Sequence, residues 1–96
     1  MNFSLLMTPG HIGKLELKNR FIMAPMGHGF CDEDECYVND RLIEFFRQRA
    51  LGGYALIDVG AVQIDPLLNT NAGILKLYDD SYIPGMQRLT QAVHEA

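Results

Sequence analysis

The residues best placed to do chemistry sit where the apolar runs of the chain break off. Asn19 to Gly29 reads NRFIMAPMGHG, in which Phe21 to Ala24 are apolar, Pro25 follows, and Gly27 and Gly29 flank His28. A run that does not alternate with polar residues is expected for a strand covered on both faces of a parallel sheet. Pro25 lacks a backbone donor, so ladder pairing should end about there. The glycines beyond it allow positive φ and close approach of main chain to another body. The stretch is either a cofactor contact at the carboxyl end of a strand or an ordinary strand followed by a flexible turn. A second mostly apolar run, Tyr54 to Ala61, closes in the same way on Gly60 and Ala61.

Two other groups invite a chemical reading. Asp58 interrupts the second run, and a buried carboxylate is costly unless paired or hydrogen-bonded. It therefore reaches a partner or lies near the solvated end of the strand, as a structural aspartate or as a catalytic acid or base. Cys31 and Cys36 bracket four consecutive carboxylates, Asp32 to Glu35. That spacing is wider than a zinc knuckle uses and no histidine follows at ligand distance, so a solvated charge run is the better account. His11 and His94 read as exposed residues of a hairpin and a helix.

The elements that position these residues follow from local signals. Residues 1–18 suggest a hairpin cap, with Gly13-Lys14 as a two-residue turn of the II′ kind. Ile12, Leu15 and Leu17 form its apolar side, and Lys14, Glu16 and Lys18 its solvated side. Asn39 is a good N-cap for a helix whose Leu42, Ile43, Phe46 and Ala50 recur at helical spacing. Gly52-Gly53 stops that helix. Residues 63–80, with Pro66, Gly73 and several asparagines, suggest a long loop. A last helix, capped by Asp80 or Ser81, runs from about Ile83 to His94.

Composition bounds the function classes. The 96 residues are 48% hydrophobic with a net charge of −4, which fits a globular chain and not a disordered one. Eight basic residues against twelve acidic ones, with no basic cluster, argue against nucleic acid as a partner. No apolar stretch approaches the roughly 18 residues of a membrane span, and no secretory signal pattern opens the chain. The expectation is a cytoplasmic protein with reduced cysteines and no membrane partner.

Strand, helix, strand within about 40 residues is a βαβ unit with parallel strands. Two parallel strands alone leave edges unpaired and an apolar face uncovered. The α/β order of an N-terminal β-hairpin followed by βαβα therefore suggests the first quarter of a (β/α)8 TIM barrel. Such barrels take about 250 residues and gather ligands at the carboxyl ends of their strands. Residues 19–96 would supply the first two β/α units, and Pro25-Met26 and Gly60-Ala61 would share one rim. A non-catalytic module that buries its open sheet by self-association is the competing reading.

Thr8-Pro9, the run Ile12 to Arg20, Met23-Ala24-Pro25-Met26, Arg49-Ala50-Leu51-Gly52-Gly53, Asp65-Pro66, Tyr78-Asp79-Asp80 and Ile83-Pro84-Gly85 occur in that order. Together they resemble the N-terminus of the Old Yellow Enzyme family of FMN oxidoreductases, nearest in flavour to its NADH:flavin oxidoreductase and 2,4-dienoyl-CoA reductase branch. The resemblance implies a TIM barrel holding FMN, reduced by NAD(P)H and passing hydride to an activated alkene or enoyl thioester. It implies that Ala24, Pro25 and Met26, and then Gly60 and Ala61, touch the flavin. Gly27 is carried over with them, but several relatives have there a threonine or cysteine that hydrogen-bonds the flavin, so tuning must come from elsewhere or differ. His28 faces the substrate or flavin, or is a solvated loop residue. The catalytic proton donor, the substrate anchors and, in the reductase branch, a 4Fe-4S cluster and an FAD domain would lie beyond residue 96. So would the remainder of the barrel, the segment's first partner, alongside a possible homo-oligomeric copy. A demethylating or dehydrogenating enzyme on the same barrel is a third reading.

Overall fold

The computed structural model describes residues 3–27, 29–30, 37–67 and 74–96. Strands β1 (Gly10–Ile12) and β2 (Leu15–Leu17) pair antiparallel, with Ile12 opposite Leu15. Gly13 in the turn has φ 58°, and among the described residues no non-glycine residue, Lys14 included, has positive φ, which selects the II′ turn over I′. Leu17 is buried, but Ile12 and Leu15 are 51% and 53% exposed, so only the root of the hairpin's apolar side is covered. Arg20 ties the preceding segment to the root: its Nε donates to Thr8 Oγ1 at 3.2 Å and its guanidinium to the Pro9 carbonyl at 3.3 Å.

Strand β3 (Ile22–Met23) begins at a polar clasp. The buried Asn19 accepts the Phe21 N–H at 2.9 Å and donates to the Gly53 carbonyl at 2.7 Å. That second bond reaches the turn after helix α1 (Asp40–Leu51), so one side chain fixes the start of β3 against the start of β4 (Leu56–Ile57). The two strands pair parallel, Ile22 with Leu56 and Met23 with Ile57, as the βαβ order requires. Helix α1 starts where Asn39 Oδ1 accepts the Leu42 N–H at 2.8 Å, and ends at Gly52 and at Gly53 with φ 107°.

The segment after β4 departs from the expected long loop. Strand β5 (Val62–Gln63) pairs parallel with β6 (Leu75–Lys76). Leu75 is fully buried in the core, so it is tertiary packing, not local alternation, that makes these short pieces strands. The cap of the last helical segment also lies one residue earlier than expected. Asp79 accepts the Ser81 N–H at 2.8 Å, a short 3-10 turn covers Asp80–Tyr82, and helix α2 (Ile83–Glu95) follows with Pro84 in its first turn. Hydrogen bonds from the Ser81 N–H and then from its hydroxyl hold the Asp79 carboxyl below its usual range.

One core joins these elements: Met23, Val38, Leu42, Phe46, Leu75 and Leu89 are buried together, with Ile57, Val59, Val62, Met86 and Val93 packed around them. Gly85 lets α2 close on the entry to α1, because a Cβ there would stand 3.0 Å from the Val38 Cβ. Burial of the Phe21 to Ala24 run on both faces is not observed. Met23 is 5% exposed, but Ile22 is 46% exposed, because helices cover only one side of the β3–β4 pair. Among the described residues no helix is long and apolar enough to cross a membrane.

Candidate functional site

Parallel pairing puts the residues after β3 and after β4 at the same end of the sheet, and the structure brings them into direct contact. Gly60 has φ 87°, and a Cβ built on it would lie 2.5 Å from the Met26 carbonyl oxygen and 3.1 Å from the Met26 N and C. No side chain fits between these two stretches of main chain. Glycine is therefore demanded twice at position 60, by backbone conformation and by close approach. Asp58 is hydrogen-bonded to both sides of this contact. Its Oδ1 accepts the Gly60 N–H at 2.9 Å, while its own N–H donates to the Met23 carbonyl at 3.2 Å. The side chain is exposed as well as hydrogen-bonded, so Asp58 both reaches a partner and lies at the solvated end of the strand.

Around that contact the surface is made of small residues and main chain. Ala24, Pro25, Gly27 and Ala61 are exposed, and Met26 is 56% exposed. A Cβ on Gly27 would meet nothing within 4 Å among the described residues, and its φ is not positive, so neither crowding nor conformation within this chain calls for glycine there. Beyond the rim, Phe30 packs back onto α1. Asn39 Nδ2 donates to the Phe30 carbonyl at 2.9 Å, the Phe30 and Phe45 rings meet in a T-shaped arrangement at 5.0 Å, and the Arg41 guanidinium lies over the Phe30 ring at 4.4 Å. The sequence marks Asn39 as a cap but not as a loop anchor. The signal was its residue type, since an amide caps with its oxygen and still has N–H donors to spare. His28, Cys31, Cys36 and the acidic run between the cysteines lie outside the described residues.

A cleft of about 380 Å³ opens at the opposite end of the sheet, against Met7, Lys18, Phe21, Gly53 and Tyr54. Among the described residues lining it, Lys18 alone carries a charge, and Ala24 to Gly27, Gly60 and Ala61 do not border it. The rim, not this cleft, carries the features that need explaining.

Residues 5–96 match the NADH:flavin oxidoreductase / NADH oxidase family. The chain belongs to that family. It is 49% identical over 90 residues to a metal reductase of Desulforamulus reducens, covering 94% of this chain and 13% of that protein. A cinnamate reductase of Clostridium sporogenes is 45% identical over 64 residues, covering 66% of this chain and 10% of that protein. Among solved structures, the old yellow enzyme from Trypanosoma cruzi superposes with a TM-score of 0.86 at 26% identity, covering 97% of this chain and 24% of that chain. The fold is thus that of one quarter of an old yellow enzyme TIM barrel. The chain spans about an eighth of the metal reductase's length and about a quarter of the old yellow enzyme's.

A flavin is the group this family's name implies. The rim fits it in chemistry: a flat ring needs small residues and accessible main chain, and Ala24 to Gly27 with Gly60 and Ala61 supply both. Among the described residues, no turn or cap hydrogen bond occupies the main chain of Ala24 to Gly27.

Proposed function

We propose that these residues are the first quarter of an FMN-dependent NAD(P)H oxidoreductase that reduces activated alkenes of the enoate or enoyl thioester kind. Ala24, Pro25, Met26, Gly27, Gly60 and Ala61 form one wall of its flavin site. The observation that carries this reading is the seating of Gly60 on the Met26 main chain, which joins two strand ends into one low, continuous surface. That surface lies at the carboxyl ends of parallel strands, where barrel enzymes gather their ligands.

Bound FMN would supply the redox chemistry, taking hydride from the nicotinamide and giving it to the alkene. The work of this segment is to bind and orient. Main-chain groups of Ala24 to Gly27 offer hydrogen bonds, Met26 offers apolar contact, and Gly60 and Ala61 keep the second strand end out of the way. Gly27 has no side chain for tuning the flavin, so that task falls to residues elsewhere in the barrel. The cinnamate reductase match supports the alkene class. The different shares covered, 13% of the metal reductase against 24% of the old yellow enzyme, leave room in longer relatives for further domains such as 4Fe-4S and FAD modules.

The test is the full-length protein. It is expected to purify yellow with stoichiometric FMN and to oxidise NADH or NADPH faster when an enoate or enoyl thioester is added. Colourless protein that takes up no added FMN would overturn the reading. A yellow protein indifferent to both alkenes would keep the flavin and reject the substrate class.

A further inference from the structure

Resting on the flavin reading above, we propose that Asp58 is a positioning residue for the flavin wall, acting through the Gly60 amide on the main chain of Met26. Ile57 and Val59 pack toward the core beneath the helices, so the side chain between them projects from the opposite face of the strand. There the carboxylate is exposed, and it accepts the Gly60 N–H at 2.9 Å. That bond closes an Asx turn, the local device by which an aspartate fixes the backbone two residues on. What it fixes is the rim residue in closest contact with the Met26 main chain. Gly60 at φ 87° sits so close to Met26 that a methyl group would overlap its carbonyl oxygen.

Glycine tolerates many conformations, and without the Asx bond its amide would be released to sample them. The Met26 carbonyl would then lose the surface it rests on. The Asp58 N–H bond to the Met23 carbonyl holds the other end of the turn to β3, so the turn is braced against the same strand whose end it positions. The need is for an acceptor two residues before Gly60, not for a negative charge.

The experiment compares full-length wild type with Asp58→Asn, Asp58→Val, Gly60→Ala and the Asp58→Val/Gly60→Ala double variant. The readouts are FMN affinity, the visible spectrum of the bound flavin, and hydrogen exchange of peptides spanning Gly60. Asparagine keeps the acceptor oxygen, so Asp58→Asn is expected within about twofold of wild type in affinity, with unchanged exchange. Valine keeps strand propensity but removes the acceptor. Asp58→Val is expected to weaken FMN binding about tenfold, the scale of one hydrogen bond, to shift the flavin spectrum, and to speed exchange at Gly60. Because both substitutions act through one contact, the double variant should bind FMN about as weakly as Gly60→Ala alone.

Exchange at Gly60 unchanged in Asp58→Val, or Asp58→Asn as impaired as Asp58→Val, would overturn the role while leaving the flavin reading intact. Additive losses in the double variant would do the same. Wild type that binds no FMN would overturn both.

Discussion

The two faces of the β3–β4 pair are built on opposite principles. Toward the helices, Met23, Ile57 and Val59 meet Leu42, Phe46 and Leu89 in one close-packed core. On the other face Ile22 is 46% exposed, Ala24 is exposed and Asp58 carries a charge. The first face is specified by residues within the chain. The second is apolar at its root and small or polar at its rim, as expected of a barrel wall whose interior is filled by other strands and whose mouth holds a ligand. The difference separates what folds this segment from what the segment is for.

The largest effect should come from the closed face. Phe46 is 1% exposed, and Phe46→Ala is expected to destabilise the full-length protein by about 3–5 kcal/mol. Chemical denaturation measures this, and a loss below about 1 kcal/mol would mean that the helix side is not the core it looks like. Ile22→Ala tests the open face. If the barrel is completed over it, this truncation should cost about 2–4 kcal/mol in the full-length protein. If Ile22 stays half-exposed there, the cost should fall within about 0.5 kcal/mol, and the contrast between the faces would be real in the parent too.

What the sequence made legible divides along similar lines. Helix α1 was readable because Asn39, the Leu42-Phe46-Ala50 spacing and Gly52-Gly53 are independent local signals that agree. The parallel pairing of β3 and β4 followed from element order. The pairing of β5 with β6 did not, because two-residue strands show no alternation and Leu75 is strand only by virtue of the core it enters. The rim was half legible. Topology places Met26 and Gly60 at one end, but their contact depends on a backbone angle that an Asp-Val-Gly sequence permits without dictating. The apolar run from Phe21 to Ala24 is covered only on its helix side within this segment, since such a run also records what a strand meets in a complete barrel.

A smaller prediction concerns the joint between the faces. Asn39 caps α1 and also holds the Phe30 carbonyl at 2.9 Å, so it belongs to the core and to the loop leaving the rim. Asn39→Ala should cost about 1–2 kcal/mol in denaturation. Asn39→Asp keeps the cap but has no N–H for Phe30, and should recover the stability of the helix while leaving faster hydrogen exchange in the loop. Equal exchange in wild type and Asn39→Asp would dissolve the link between the two regions.

The smallest effect lies at the margin of the closed face, where α2 begins. The ring of Tyr82 is buried, stacks on Tyr37 at 4.7 Å and meets Tyr78 edge-on at 5.2 Å. Its hydroxyl donates to the Tyr78 hydroxyl at 3.1 Å. That hydrogen bond, then burial, then the neighbouring groups push the Tyr82 phenol from 10.0 up to about 12. The sign of the linkage follows. The folded state keeps a proton that the unfolded state gives up, so the contribution is whole below pH 10.0 and is lost as pH rises toward 12. Tyrosinate absorbance followed with pH should show a late-titrating component that vanishes in Tyr82→Phe. Tyr78→Phe, which removes the acceptor but keeps the ring, should bring it down toward the ordinary range. Stability measured across the same window should fall less steeply in Tyr82→Phe than in wild type. A late step that survives Tyr82→Phe would assign it to another residue, and the closed face would then owe nothing at this edge to the hydroxyl pair.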